Sequence, residues 1–378
     1  MLFAMLSLGS ALACGDDSEL APTLSADSGA VMAADSGSST TPLLAVSADM
    51  LNKTLSIVDV KRLVEGGTRA DALVGSVDLA AYTPGPMSLA ITPDGKTALV
   101  SISAGFLPLI GTSVTAGDDK LLFVDLQTRT VSGELEIGNG PMGIAITPDG
   151  KHAFVGLFGE NYFAYVDIAA RTYQPIDTGA PYNEEFAIDD SGEVGVISYG
   201  PAGNVRTFAI ANPTQLGQTT ALSGDAAGVA FFPGTKIAYL MQVPTPLNDN
   251  VGGHDLLDVT DPLRPVASDG VRIQSYPTTY PLVAVHARGS VAFPAISDGM
   301  LTVVEMKLEK GAAREVQKIP IGAAGQLAYG IGATHDSRVL VAAPETHTVS
   351  VVDLAAGNGF SIPWEGTQYG PTEIKLVP

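Results

Sequence analysis

One cysteine, Cys14, stands in 378 residues. No disulfide can form within the chain, and no metal site can be built on several thiolates. Bases are also scarce, with 20 Lys and Arg against 40 Asp and Glu and a net charge of −20. The few cations are scattered, so nucleic acid, heparin and anionic lipid surfaces are poor partners for this field. Aromatic residues make up only 6% of the chain. No long segment has a 3.6-residue apolar period, which predicts almost no helix. Present in quantity are 42 glycines and 25 prolines within a chain that is 46% hydrophobic. That mixture suits a large core made of many short strands joined by tight turns.

One phrase occurs twice. Gly85-Pro86-Met87-Ser88-Leu89-Ala90-Ile91-Thr92-Pro93-Asp94-Gly95-Lys96 returns as Gly140-Pro141-Met142-Gly143-Ile144-Ala145-Ile146-Thr147-Pro148-Asp149-Gly150-Lys151. Each copy reads as an alternating strand, a Pro-Asp-Gly turn and a second strand (Ala98-Leu99-Val100, Ala153-Phe154-Val155). Repetition at this period means stacked β units. Third strands ending in an acid mark the rest of the repeat, at Asp59, Asp125, Asp167, Asp258, Glu305 and Asp353, while Arg206 to Ile210 departs from the pattern. A carboxylate at a strand end accepts hydrogen bonds from turn N–H groups, so these acids are expected to be structural. Aligned on these marks, seven inner strands begin near Pro86, Pro141, Asn183, Ala226, Pro281, Ala328 and Pro371. The folded body opens on a second strand, Leu43-Leu44-Ala45-Val46, and Gly370 to Leu376 matches Gly85 to Ile91 just before the chain ends. The C-terminal segment is therefore expected to supply the inner strand of blade 1 and so protect two open sheet edges.

The Ile91 to Lys96 turn, with Val-Val-Asp third strands such as Val351-Val352-Asp353, resembles the YVTN-type β-propeller repeat family. Leu257-Asp258-Val259-Thr260-Asp261-Pro262 resembles the related LVIVD repeat. The resemblance covers about 43–378. It implies an all-β, seven-bladed propeller of four-stranded blades, of a kind common in bacterial envelope or secreted proteins. It leaves the chemistry open, because propellers host binding proteins, lactonases, dehydrogenases and scaffolds alike.

Residues 1–13 form an apolar run too short to span a bilayer, ending in Ala11-Leu12-Ala13 directly before Cys14. This resembles a signal peptide with an Ala-x-Ala cleavage site, and also a bacterial lipobox whose cysteine is lipidated. No Lys or Arg precedes the run, and Ala11 stands where a lipobox usually has an aliphatic residue. Residues 14–42 are rich in Ser, Asp, Ala, Gly and Thr and are expected to be a disordered tether with a mean reach of about 30 Å. The expected location is the bacterial cell envelope, periplasmic or surface-exposed. The lipid at Cys14 would be the only contact with a membrane, and the chain is expected to be a monomer.

The Pro-Asp-Gly face of the propeller carries short turns. The opposite face carries the long segments 104–119, 243–253, 274–280 and 323–327, and variable loops favour function. Inner strands begin on that face. The ring position of Ser88 is filled by Gly143, Glu185, Gly228, Leu282, Gly330 and Glu373, so two glutamates stand among mostly small residues. Glu184, Tyr329 and Asp225 flank them. These five, Glu184, Glu185, Asp225, Tyr329 and Glu373, are the candidate ligand-binding residues. Two readings of the rim stand: a solvated acidic rim with nothing bound, or carboxylates holding a divalent cation. The histidines form no cluster. His254 beside Asp255 is either a solvated loop residue or a surface metal contact, and Trp364 is expected to serve packing. No Ser-His-Asp arrangement, phosphate loop or zinc motif is readable.

These observations lead first to a non-catalytic envelope lipoprotein that binds a protein or small ligand on its long-loop face. The alternative is a lactonase-like hydrolase acting on a non-phosphorylated sugar lactone, since only Lys53 and Lys120 are expected to bring positive charge to that face. A third reading is a surface scaffold with no small-molecule site.

Overall fold

Thr92, Asp94 and Gly95 show how the repeated phrase makes its turn. The Thr92 hydroxyl donates to Asp94 Oδ1 at 2.7 Å and accepts from the Thr97 amide at 3.0 Å. Asp94 Oδ1 also accepts the Lys96 amide, and Gly95, at φ 69°, closes onto the Thr92 carbonyl. A Cβ would strain that left-handed conformation. Thr147, Asp149 and Gly150 repeat the arrangement, with Thr147 to Asp149 at 2.6 Å and the same φ.

The fold is that of a computed structural model, which describes residues 43–104, 117–199, 203–243, 253–268, 271–272, 284–286, 289–297, 300–322, 328–334, 337–364, 366 and 370–378. The signal segment, Cys14, the tether and nearly all of the four long loop segments lie outside them. Seven antiparallel sheets make seven blades. Their inner strands are Glu373–Leu376, Pro86–Ile91, Pro141–Ile146, Asn183–Ile188, Asp225–Phe231, Ala284–His286 and Gly330–Ala333, for blades 1 to 7. Each touches the next, and the last touches the first, so the blades form a ring. Where described, strand starts fall within two residues of those expected; Pro281 lies outside the described residues. Blade 5 departs from four plain strands, because Val266–Ala267 and Val271–Arg272 share its outer edge.

The C-terminal strand closes the ring. Glu373–Leu376 pairs antiparallel with Leu44–Asp49, placing Ala48 opposite Glu373 and Ala45 opposite Leu376. Sheet faces bury against neighbouring blades. Val46, Leu55 and Ile57 of blade 1 pack with Leu89, Val100 and Leu122 of blade 2. The scarce aromatics gather between blades 3 and 4, where Phe154 lies 4.9 Å from Phe208 and Phe163 lies 5.2 Å from Phe186. Each such side chain contributes roughly 1.5–3 kcal/mol by leaving water.

The joint between blades 7 and 1 is polar. Trp364, fully buried just after the outer strand of blade 7, donates Nε1–H to Asp49 Oδ1 at 3.0 Å. Asp49, also fully buried, accepts from Ser47 and Ser56 and lies 3.5 Å from Arg69 Nη2. The Arg69 guanidinium sits 5.6 Å from the centre of the Trp364 ring. Trp364 thus serves packing, as expected, and also holds the seam.

The third-strand acids behave as expected at most positions. Asp125 accepts the Thr128 amide at 2.7 Å, Asp167 that of Ala170 at 2.8 Å, and Asp353 those of Ala355 and Ala356 at 2.9 Å. Glu305, one carbon longer and buried, instead takes Ser290 Oγ and Gln317 Nε2, each at 2.7 Å. Asp59 does more than end a strand. It caps a helix, Val60–Gly66, by accepting the Arg62 amide, and a second short helix follows at Arg69–Ala72. The sequence reading had no place for either, because two turns are too few for periodicity to register.

Candidate functional site at the channel mouth

The inner strands do not enter the ring smoothly. Register shifts occur at Pro86/Ser88, Pro141/Ile144, Asn183/Phe186 and Ala226/Gly228, in four successive blades. Each bulge sets one extra residue against the second strand, which re-aims the side chains at the channel mouth. Serines of the second strand hold the bulged backbone: Ser101 Oγ accepts the Ser88 amide at 3.0 Å and Ser198 Oγ that of Glu185 at 3.4 Å.

The two ring glutamates occupy matching seats. Glu185 of blade 4 rests its carboxyl on Gly143 of blade 3, where a Cβ would lie 2.6 Å from Oε2. Glu373 of blade 1 rests on Gly330 of blade 7, where a Cβ would lie 2.8 Å from Oε1. Glycine at these places lets a carboxyl from the next blade come against bare backbone.

The two carboxyls differ in their partners. Glu373, 3% exposed, accepts the Ile374 amide at 3.1 Å, pairs with Lys375 Nζ at 3.3 Å and receives Ser88 Oγ at 3.4 Å. Lys375 also donates to the Ile331 carbonyl at 3.1 Å. Burial raises the Glu373 pKa, against the pull of Lys375 and the backbone amides. Glu185, at the start of the inner strand of blade 4, is half-buried and surrounded by protein atoms. Burial pushes it well above the usual carboxylate range; the charge of Glu373 adds to the rise, Lys375 opposes it, and Glu184 adds a little more. Both effects disfavour the anion, so Glu185 holds a proton more readily than a solvated glutamate does.

An apolar cluster gathers at or next to the same strand ends. Met50, Met87, Met142, Phe158, Tyr329 and Ala104 form one buried cluster drawn from blades 1, 2, 3 and 7. Met87 and Met142 directly precede Ser88 and Gly143, the residues that touch Glu373 and Glu185. In blades 2 and 3, then, a buried methionine directly precedes the residue that a ring carboxyl touches.

Of the candidate residues, Glu184, Glu185, Tyr329 and Glu373 stand at inner-strand starts around one mouth. Glu184 is buried at 1% exposure, and its carbonyl packs against Gly143 and Gly156. Tyr329 belongs to the apolar cluster. Asp225 opens the inner strand of blade 5, and its side chain lies outside the described residues. Among the described residues, no three His, Cys, Asp or Glu side chains gather closely enough to hold a metal ion. Lys375 was missed by the sequence reading. Its signal was the two-residue spacing from Glu373, which puts both on one side of a strand. Lys53 and Lys120 pair locally, with Thr83 and with Glu134 and Glu136.

His254 needs correction. It is neither a solvated loop residue nor a surface contact. It lies within the strand Gly253–Asp258 at 3% exposure, stacked 4.9 Å from Tyr239, and burial lowers its pKa to about 4. Asp255, next in the chain, binds Ser223 and Gln242 instead.

Neither a known family's sequence pattern nor any curated protein matches the chain. Solved structures do. A functionally unknown protein from Desulfotomaculum acetoxidans superposes with a TM-score of 0.66 at 16% identity, over 88% of this chain and 98% of its own. Kuenenia stuttgartiensis hydrazine synthase does so at 0.62 and 16% identity, over 78% and 90%. At that identity the likeness is one of fold.

Proposed function

We propose that this propeller is a non-catalytic lipoprotein of the bacterial cell envelope, held by lipid at Cys14, which binds a small ligand or protein group of positive charge at its long-loop mouth. The observation that carries the reading is Glu185, a half-buried carboxyl at an inner-strand start, seated against Gly143, while its counterpart Glu373 is already matched by Lys375. A cation at the mouth would displace the Glu185 proton and relieve its repulsion with Glu373. A divalent ion would bring water to complete its shell. The bulges at the strand starts support the same place, since bulges re-aim side chains at functional sites.

The test is the melting temperature with calcium, magnesium and manganese. At least one should raise it, because a ligand that binds only the folded state stabilises it. Glu185→Gln together with Glu373→Gln should abolish the rise. Unchanged wild-type melting curves with all three ions would defeat the reading of a divalent cation. For the anchor, Cys14→Ala should lose a fatty-acid label and leave the membrane fraction; an unlabelled, soluble wild type would refute it.

A further inference from the structure

Three of the chain's nine methionines meet in the one buried cluster at the mouth, and they come from three different blades. Met50 follows the second strand of blade 1, while Met87 and Met142 sit at the bulged starts of the inner strands of blades 2 and 3. Met50 is brought close to Met87 by backbone packing: a Cβ on Gly85 would lie 1.9 Å from the Met50 carbonyl oxygen. Leucine would fill such a cluster with better-defined rotamers. Thioethers differ from leucine in being soft, polarisable donors, and soft sulfur ligands select Cu(I) among biological metals.

We propose that the mouth binds a soft monovalent metal ion, Cu(I), through the thioethers of Met50, Met87 and Met142, with the Glu185 carboxyl beside them balancing its charge. This rests on the reading of the mouth as a site for a positively charged ligand and names that ligand. Three neutral thioethers leave the charge of the ion uncompensated. The ring position immediately after Met142 is the glycine on which Glu185 rests, so a carboxyl packs against the residue next to one of the three methionines. Methionine's rotatable bonds let the three sulfurs converge on an ion without moving the strands. Oxygen ligands alone would favour hard ions such as calcium.

The test uses Ag(I) as a redox-inert probe in chloride-free buffer. It is run on the full chain carrying Cys14→Ser, because a free thiolate would bind the probe by itself. One equivalent of Ag(I) should bind and raise the melting temperature. Met87→Leu with Met142→Leu keeps apolar volume while removing two sulfurs. This pair should lower affinity by more than the ~100-fold typical of lost outer-shell support, with the metal-free melt little changed. Met300→Leu, on an exposed methionine, should change nothing at the tight site. Absence of a tight Ag(I) equivalent, or its survival in the double leucine variant, overturns the proposal. A calcium response that persists when Ag(I) fails leaves the broader mouth reading standing; failure of both removes it.

Discussion

Replacing Trp364 by Phe probes whether the seam between blades 7 and 1 is held by the Asp49 network. The ring and most of the volume stay, and the Nε1–H donor is lost. Asp49 then keeps Ser47, Ser56 and Arg69, but its Oδ1 loses one of its two donors. That deficit costs about 1–3 kcal/mol, and the weaker ring attraction for Arg69 adds up to about 1 kcal/mol. Asp49→Ala is the harsher change, because it removes both the anion 3.5 Å from the Arg69 guanidinium and the acceptor of the Trp364 donor; side chains there are 18% exposed for Arg69 and 0% for Asp49. Removing one partner of such a buried pair costs about 3–5 kcal/mol. The double variant should cost less than the sum by about 0.5–3 kcal/mol, because both single changes break the same bond. Guanidinium unfolding of the four proteins, followed by Trp-independent far-UV signal, reads all three numbers. Additivity within about 0.3 kcal/mol would show that Trp364 acts only as packing.

Truncation after Gln368 removes the inner strand of blade 1 and should abolish cooperative melting near the full chain's temperature; a melt within a few degrees would refute closure. Glu185 has a raised folded pKa, so its contribution is present below the unfolded value and is lost as pH rises through the folded one. Glu185→Gln should therefore flatten a decline in stability above the ordinary carboxylate range, and an unchanged slope would count against a protonated Glu185. His254 has the opposite linkage, because it is held neutral with a pKa of about 4. Its stability is full above the ordinary histidine value and falls as pH drops toward 4, by about 3 kcal/mol. His254→Leu should remove that fall, as read by denaturant midpoints between pH 7 and 4.

The repeat made the fold legible. Pro-Asp-Gly turns and third-strand acids are local devices, and their hydrogen bonds lie within a few residues of each other. The C-terminal match to Gly85–Ile91 also sufficed to place a strand that pairs across more than 300 positions. Glu185 and Glu373 could be placed on one ring because a repeat converts sequence position into angular position. What sequence reading missed was sideways contact. Nothing local connects Trp364 to Asp49, or shows that Glu185 rests on Gly143. Bulges were hidden because an alternating pattern does not show a single extra residue. His254 was misplaced because a polar residue after a Gly-Asn-rich loop reads as solvated, whereas stacking on Tyr239 decides its burial.

The central claim is that a positively charged ligand takes the place of a proton at Glu185. Calorimetric titration of the ion that gives the largest melting shift, just above the ordinary glutamate pKa and in two buffers of different ionisation enthalpy, counts the protons released on binding. The account predicts release from the wild type and none from Glu185→Gln, with weaker binding in the variant. Binding with no proton release, or with the same release and affinity in Glu185→Gln, would contradict it.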